Sequence, residues 1–426
     1  MNLLLCLMFL LLMPLAPAGL ALIHQGLGRS RSAAHTMLAT MCSVGVAAIV
    51  FVVLGSAWAG YQGGAFHQLD LGGLHMNWLG AEHLLADGIR ARGASGLHAA
   101  LELCLEMMAA GMVALIPISA GGDRWRLSGI CVASAAVSAI VFPLFAHAIW
   151  GGGWLGSMGS QFGLARFMDL GGAGVIEVLG GLSALSVAWL LGPRRGKYHS
   201  GSPSAIPGHN IVLVMFGCLL AVVGWAGLEC AASILFYDIQ PEQLVWVLIN
   251  VLLAAGSGLL AALVTTRIRY RKPDSSMSAN GWVAGLVAGS AGCGLFSPGA
   301  TILVGLVAGM LVTLSVEAFE MDLLVDDPGG AVSVHAVAGI WGLFAFGLVG
   351  QLGGVSRAGQ LLAELVGIAT LLGVGFPLLH GVHLLLNRVV PYRVDRDGDW
   401  QGMDIRELGS GAYPEFVMHA DDFVPR

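Results

Sequence analysis

Long apolar runs recur along the chain from one end almost to the other. Runs of about 20 apolar residues are typical of membrane-spanning helices, because such a helix is long enough to cross the hydrocarbon core of a bilayer. The pattern predicts eleven spans and a hydrophilic tail at 387–426, and the eighth span is short and glycine-rich. The predicted spans lie roughly at 2–24, 37–60, 98–119, 128–149, 171–192, 209–236, 244–266, 279–295, 300–316, 331–350 and 360–386.

Composition supports a membrane protein. The chain of 426 residues is 56% hydrophobic and only 11% charged, which is too little charge to cover the surface of a soluble protein of this length. We therefore predict an all-α polytopic membrane protein. The first run, MNLLLCLMFLLLMPLAPAGLALIHQG, contains an APA sequence that resembles a signal-peptide cleavage site. It lacks a basic N-terminal region and stays apolar up to Ile23, so we interpret it as the first span.

The distribution of basic residues tests the span count independently. With eleven spans, the connections near residues 29, 124, 195, 270 and 322 lie on the same side as the C-terminus. Of the 20 Lys and Arg residues, all but Arg90, Arg92, Arg166 and Arg357 fall on that side. Cytoplasmic loops carry an excess of Lys and Arg, so we predict a cytoplasmic (inner) membrane protein with its N-terminus outside and its C-terminus in the cytoplasm.

Signals for chemistry other than transport are missing from the sequence. The seven cysteines all lie in apolar spans without the paired spacing of a metal site, which predicts buried, reduced side chains. There is no phosphate-binding loop and no hydrolase or metalloprotease motif within the spans. The sequence predicts that the protein is not an enzyme, and it predicts no cofactor, no metal and no nucleic-acid partner.

One motif occurs twice. Residues 169–181 read DLGGAGVIEVLGG and residues 327–339 read DPGGAVSVHAVAG, with Glu177 and His335 at the same ninth position. One copy opens span 5 and the other opens span 10. The transmembrane domain, 1–386, therefore divides into repeat 1 (about 1–192), repeat 2 (about 208–350) and span 11 (about 360–386).

An odd number of spans per repeat makes the two repeats insert in opposite directions. Inverted repeats place the substrate path at their interface, near the middle of the bilayer. Glu177 and His335 each follow their aspartate by eight residues, or about 12 Å of helix. Approaching from opposite faces, the two side chains are expected to meet near the pore centre.

Several motifs in this order are similar to those of the ammonium transporter, methylammonium permease and Rhesus (Amt/Mep/Rh) proteins, and the resemblance covers essentially the whole chain. The motifs are PAGLALIHQGL at 17–27, DRWRLS at 123–128, AHAIWGGGWL at 146–155, GHNIVLV at 208–214 with GWAGLE at 224–229, NGWVAGLVAGSAGC at 280–293, VDDPGGAVSVHAVAG up to residue 339, and GMDIRELGSGAYPEF at 402–416.

The resemblance implies the ammonium-transporter fold and a homotrimer with one pore in each subunit. It implies an outer recruitment site, a phenylalanine gate and a pair of pore histidines. Trp150 matches the outer tryptophan and offers a cation–π face worth about 1–2 kcal/mol when desolvated. Asp169 matches the aspartate that supports the outer site, Ser290 a small hydroxyl residue, and His335 the second pore histidine. The tail resembles one that packs on its own and a neighbouring subunit, where PII-type regulatory proteins dock in some members.

The chain departs from the family pattern along the pore. Glu177 occupies the position of the first pore histidine, an exchange that also occurs in fungal permeases. An ungapped alignment places Leu105 and Ala109 at the two gate phenylalanines of span 3. On span 6, the family pattern places Leu228 at the other gate ring, Glu229 at the usual asparagine and Ala232 at the recruitment serine. The sequence therefore predicts a dismantled aromatic gate.

Carboxylates within apolar spans are the second departure. An acid at the centre of a spanning helix costs about 2.5–3.5 kcal/mol on insertion scales, which makes it a functional hypothesis by default. We assign pore roles to Glu177 and Glu229 and, because they share one face of span 3, to Glu102 and Glu106. Glu364, near the outer end of span 11, is interpreted as a structural acid.

Three functions are compatible with these residues. The first is an ammonium transporter in which Glu177 and His335 relay a proton. The second is a family member whose substrate specificity has shifted to larger or multiply charged amines, such as methylamines, diamines or polyamines. Loss of the gate phenylalanines would widen the path, and the added glutamates would make it more negative. The third is a non-conducting ammonium sensor that signals through its tail. Excess negative charge in a desolvated pore must be neutralised by protons or by the transported cation, so we expect a charged species, or ammonia with a proton, to pass.

Overall fold

The predicted spans are found as helices. A computed structural model describes residues 2–71, 74–89, 93–159, 163–199 and 201–413. Ten helical stretches within these ranges are long and apolar enough to cross a membrane. The predicted eighth span is the 16-residue helix Ser275–Ser290. The prediction of an all-α membrane fold with eleven spans is confirmed, with ten long helices and one short one. The spans are, in chain order, Asn2–Leu10 with Leu15–Leu27, Ala33–Ala59, Gly93–Leu115, Leu127–Ile149, Ala173–Leu191, Ile211–Tyr237, Leu244–Tyr270, Ser275–Ser290, Pro298–Met321, Val332–Val349 and Arg357–Val389.

The repeated motif has the same local structure in both copies. Its second glycine takes a left-handed conformation, with φ of +89° at Gly172 and +72° at Gly330. The motif aspartate then accepts backbone hydrogen bonds from the first turn of the following helix. Asp169 Oδ2 accepts from the amides of Gly174 and Val175, and Asp327 Oδ2 accepts from that of Val332. The motif is therefore a helix-start device that places its ninth residue at a fixed depth.

The ninth residues lie on π-helical turns. Spans 5 and 10 begin with π-helical segments, Ala173–Val178 and Val332–Val337, before continuing as α-helices. A π-turn inserts an extra residue and redirects the side chains that follow, and such turns are frequent at functional sites. Further π-helical segments occur inside other spans, at Phe51–Gly55, Val137–Val141 and Leu371–Gly375.

A β-hairpin was not predicted from the apolar pattern. Strands Phe66–Leu71 and Leu74–Gly80 pair antiparallel in the connection between spans 2 and 3, and define what we call the hairpin face of the molecule. Asn77 fixes the hairpin, because its amide donates to the Gly152 carbonyl and its Oδ1 lies 2.7 Å from His147 Nε2. A second, shorter pair joins Tyr198–His199 to Ser202–Pro203.

The tail packs on the opposite side, which we call the tail face. Its helical segments are Arg396–Gln401 and Asp404–Leu408. Asp404 accepts from the amides of Ala34 and His35 at the start of span 2, and Glu407 from that of Leu127 at the start of span 4. Tail carboxylates thus cap two spanning helices. Residues 414–426, which include the end of the GMDIRELGSGAYPEF motif, lie outside the described residues, as do Arg90 and Arg92.

A buried ion network joins the loops on the tail face. Arg194 contacts Asp123 at 3.0 Å and Asp326 at 2.9 Å, and the Arg124 guanidinium donates to the Asp326 carbonyl. Burial opposes ionisation of Asp326, but the neighbouring charges of Arg124 and Arg194 outweigh it and lower its pKa to about 2. This network joins the connections that follow spans 3, 5 and 9. The distribution of basic residues places the same three connections on one side of the membrane.

Candidate pore site

The two exchanged residues of the repeat are in contact. Glu177 and His335 are both buried, and Glu177 Oε2 lies 2.5 Å from His335 Nδ1. The carboxyl group and the imidazole ring are therefore joined by a direct hydrogen bond. The other carboxylate oxygen, Glu177 Oε1, has no hydrogen-bond partner in the described parts of the chain. It is an acceptor that a proton or a small cation can use.

A second buried carboxylate lies on span 6. Glu229 Oε1 lies 2.7 Å from the Ser290 hydroxyl, which also contacts the Leu286 carbonyl at 2.9 Å. The Trp225 indole N–H donates to the same hydroxyl at 3.2 Å. Glu229 is close enough to Glu177 for their charges to interact. Ser290 and Glu229 therefore form one cluster beside the Glu177–His335 pair.

Trp150 lies towards the hairpin face, covered by a phenylalanine. The ring is buried, and its N–H donates to the Asp169 carbonyl at 2.8 Å. Phe236 stacks on Trp150 with centroids 4.6 Å apart and planes 10° from parallel. Gln62 spans the pair, because its side-chain amide lies within donating distance of both the Trp150 and Phe236 carbonyls. One face of the indole is thus unavailable to a cation in this conformation.

Span 3 brings two further acids. Glu102 pairs with His98 at 2.8 Å and accepts a hydrogen bond from the Gln62 backbone N–H. Glu106, one turn deeper, is buried and its Oε1 lacks a partner among the described residues. Buried aliphatic side chains occupy the predicted gate positions, Leu105, Ala109 and Leu228, and Ala232, at the predicted recruitment-serine position, is buried as well.

Comparison with known proteins identifies the family. The sequence model of the Ammonium Transporter Family matches residues 2–413. The chain belongs to the ammonium transporter family. It is 32% identical to ammonium transporter Amt2 of Archaeoglobus fulgidus, over 94% of this chain and 85% of that protein. The resemblance inferred from the motifs is confirmed.

Solved structures of Amt and Mep proteins have the same fold. The structure titled Sensor Amt Protein superposes with a TM-score of 0.85 at 25% identity, covering 95% of this chain and 98% of that one. Candida albicans Mep2 superposes with a TM-score of 0.80 at 20% identity, over 97% and 90% of the two chains. These findings support ammonium transport by a multi-pass membrane protein, and they exclude an enzyme, because the family consists of transporters and channels.

Two residues near the candidate site were missed from the sequence. Phe236 follows Glu229 and Ala232 on one face of span 6, a spacing that could have indicated it. His24 lies within PAGLALIHQGL and was considered only as part of that motif. It is buried on span 1, its Nδ1 lacks a partner within the described ranges, and its charge would interact with that of His335.

Glu364 has a structural environment. Its Oε1 accepts from the Gln360 amide at 2.7 Å and from the Met168 backbone at 3.1 Å. The Met168 bond ties span 11 to the segment that precedes Asp169. The geometry favours the structural interpretation of this acid.

Proposed function

We propose that this protein carries ammonium across the cytoplasmic membrane through a pore within each subunit, with the Glu177–His335 pair at the pore centre. The contact that carries the proposal is the 2.5 Å separation between Glu177 Oε2 and His335 Nδ1. It joins the two copies of an inverted repeat, where transporters of this architecture place their substrate. Trp150, Glu106, Glu229 and Ser290 line the route from the hairpin face, and Asp169 holds the start of span 5.

The pair can hold a proton while the cargo passes. The direct hydrogen bond lets a proton move between the Glu177 carboxyl group and the His335 imidazole. An ammonium ion that reaches the free Glu177 Oε1 can transfer a proton to it: an N–H bond breaks, an O–H bond forms, and the nitrogen keeps the electron pair as ammonia. Protonation of the pair then offsets the negative charge that Glu229 adds nearby.

Family membership and the distribution of basic residues support one assembly and one orientation. We infer a homotrimer, with the hairpin face outside and the tail face in the cytoplasm. In this arrangement the basic loops and the capping tail lie on the cytoplasmic side, where a PII-type regulatory protein has access. Light scattering in detergent measures the trimer, and protease digestion of sealed inside-out vesicles measures the side of the tail.

A sensor is the second candidate. The observation that favours it is the stacking of Phe236 on Trp150, which closes one face of the outer aromatic site. The structural neighbour titled Sensor Amt Protein covers nearly the same length as this chain. A sensor of this kind binds ammonium and changes the tail without carrying useful flux.

Electrophysiology of the purified protein in liposomes distinguishes these functions. The comparison uses ammonium, methylammonium, putrescine and spermidine, each with the wild type and with Glu177→His. An ammonium current that survives Glu177→His supports proton relay by the pair. A diamine current without an ammonium current supports a transporter of larger or multiply charged amines. Saturable ammonium binding without any current supports the sensor. Glu317→Gln, in the Arg269 ion pair at the tail-face end of span 9, is the matched control acid outside the pore.

A further inference from the structure

The Ser290 hydroxyl cannot donate to both of the oxygens that lie within its hydrogen-bond distance. The hydroxyl has one hydrogen to donate and two lone pairs that accept. The Trp225 N–H can only donate, so it occupies one lone pair at 3.2 Å. The single hydrogen must then point to either Glu229 Oε1 at 2.7 Å or the Leu286 carbonyl at 2.9 Å.

Each choice corresponds to one protonation state of Glu229. When Glu229 is ionised, the serine hydrogen points to the carboxylate, which is the stronger, charge-assisted bond. The Leu286 carbonyl is not stranded in that state, because it lies one turn back in the same helix and can keep its helical bond. When Glu229 carries a proton, its O–H donates to the serine oxygen, and the serine hydrogen turns to Leu286. Both states satisfy the donors at this oxygen without moving a heavy atom.

We propose that Ser290 is a proton switch, whose rotating hydroxyl lets Glu229 gain and lose a proton in place and makes Glu229 the first proton acceptor of the pore, ahead of Glu177 and His335. The inference rests on the proposed ammonium pore and adds a step to it: the cargo gives up its proton at Glu229, and Glu177 Oε1 then receives that proton from the Glu229 carboxyl group instead of directly from ammonium. An ammonium ion transfers a proton to the Glu229 carboxylate, so that an N–H bond breaks, an O–H bond forms, and ammonia keeps the electron pair. The serine hydrogen turns from Glu229 to Leu286 in the same event.

The hydrogen bonds of Ser290 matter because the whole cluster is buried. Trp225, Glu229 and Ser290 are all buried, so bulk water does not compensate a broken hydrogen bond there. Gly171 closes the cluster from span 5, where a side chain would lie within 3.1 Å of both the Glu229 and Ser290 side chains. A fixed donor in this position would favour only one charge state of Glu229, whereas a hydroxyl serves both.

Other groups around Glu229 can shift its titration and must be held constant. Glu177 acts on it from span 5, and the thiols of Cys230 and Cys293 lie beside it. Span 3, which also packs on span 6, carries the buried Glu106, and span 1 brings Cys6, whose thiol contacts the Ala231 carbonyl. None of these side chains changes in a substitution of Ser290.

Infrared spectroscopy of the protein in liposomes follows the proton directly. The stretch of a protonated carboxyl group is recorded as pH changes, and the part lost in Glu229→Gln is assigned to Glu229. In Ser290→Ala the ionised carboxylate loses its donor, so we expect the Glu229 midpoint to rise by about one pH unit, the tenfold change typical of one bond to a charged group. Ser290→Thr, which keeps a hydroxyl, is expected to return the midpoint towards the wild type.

Control variants separate the switch from general disruption. Ser186→Ala removes a buried hydroxyl of span 5 that contacts His380 rather than a group beside Glu229, and is expected to leave the midpoint unchanged. In a Glu229→Gln background, Ser290→Ala is expected to produce no further infrared change. A Glu229 band that does not titrate, or a midpoint that is the same in Ser290→Ala, overturns the switch.

The same variants in liposome flux assays distinguish the two proposals. If the wild type carries ammonium, Ser290→Ala is expected to slow the ammonium flux by about tenfold or more, because loss of general acid–base catalysis slows reactions by this order. Wild-type flux with an unchanged Glu229 titration in Ser290→Ala refutes the switch and leaves the pore proposal standing. A titration that responds to Ser290 in a protein without flux supports the switch and refutes the pore proposal.

Discussion

The Glu177 carboxylate and the His335 imidazole lie 2.5 Å apart although 158 residues separate them in the chain. Each stands at the ninth position of the same motif and on a π-helical first turn of its span. Because each helix start is fixed by an aspartate cap and a left-handed glycine, the two depths are set independently and still coincide. The contact is thus a product of the repeat.

Substituting Glu177 by Gln should abolish the proton-holding capacity of the pair while keeping its shape. The amide can still contact His335, but it cannot accept a proton from the cargo. We expect ammonium flux in liposomes to fall by about 100-fold, within the range for loss of a general base. Glu364→Gln is the control, because that acid is equally buried but bonds Gln360 and Met168 outside the proposed pore. Equal fluxes in wild type and Glu177→Gln would show that the pair holds no transported proton.

Phe236→Ala should open the outer aromatic site. Removing the stacked ring exposes a face of Trp150, and a desolvated cation–π contact is worth about 1–2 kcal/mol. We expect the apparent affinity for methylammonium to rise by about tenfold in concentration-dependent current measurements. Phe346→Ala removes a comparable buried ring, packed edge-on against Phe296, and should lower stability without changing affinity. If Phe236→Ala and the wild type have the same apparent affinity for methylammonium, Phe236 does not block the Trp150 site.

His24→Gln should impair release on the tail-face side of the pore. His24 is buried, its Nδ1 is unpaired among the described residues, and it interacts electrostatically with His335. We expect ammonium flux to fall by about tenfold or more, as for a lost proton carrier, while the Tm in detergent stays unchanged. The comparison variant is His383→Gln, because that histidine contacts both Ser183 and Tyr392. His383→Gln should lower the Tm. If His24→Gln lowers the Tm and His383→Gln lowers the ammonium flux instead, His24 has a structural role.

The sequence predicted the features that follow from periodicity and repetition. Spanning helices are set by runs of apolar residues, and the grouping of basic residues on one side agrees with the loops that meet around Arg194. The ninth-position pair could be predicted because both copies of the motif have the same length from aspartate to side chain. The π-helical turns could not, since they depend on how the helix starts are held by tertiary contacts.

The outer site could be predicted only in part from the sequence. The positions of Leu105, Ala109 and Leu228 indicated that the family gate was lost, but an alignment to expected positions does not reveal a ring that reaches the site from elsewhere. Phe236 does so from one turn beyond Ala232. The hairpin was missed for a similar reason, because it is held by Asn77 and His147 across the fold rather than by a local pattern of apolar residues.

The tail should stabilise the membrane domain through its caps. Asp404→Ala removes the acceptor for the amides of Ala34 and His35, and Glu407→Ala removes the acceptor for that of Leu127. Loss of a helix cap costs about 1 kcal/mol, so each variant should lower the midpoint of denaturation in detergent. Asp397→Ala, an exposed acid in the same tail, should have little effect. Equal midpoints in all three variants would show that the tail contacts do not support spans 2 and 4.

Acid should destabilise the tail face through Asp326. Its pKa is about 2 in the folded protein, below the ordinary value of 3.8, so the folded state favours the ionised form. The lowered pKa contributes about 2 kcal/mol of stability above about pH 4, and this contribution is lost as the pH falls from about 4 towards 2. Asp326→Asn should remove this part of the acid dependence and lower stability at neutral pH, because Arg124 loses its ion-pair partner and Arg194 keeps only Asp123. Thermal denaturation measured between pH 2 and pH 7 tests both effects, with Asp322→Asn at an exposed position as the control. If the wild type and Asp326→Asn lose stability in parallel below pH 4, the acid sensitivity originates elsewhere in the protein.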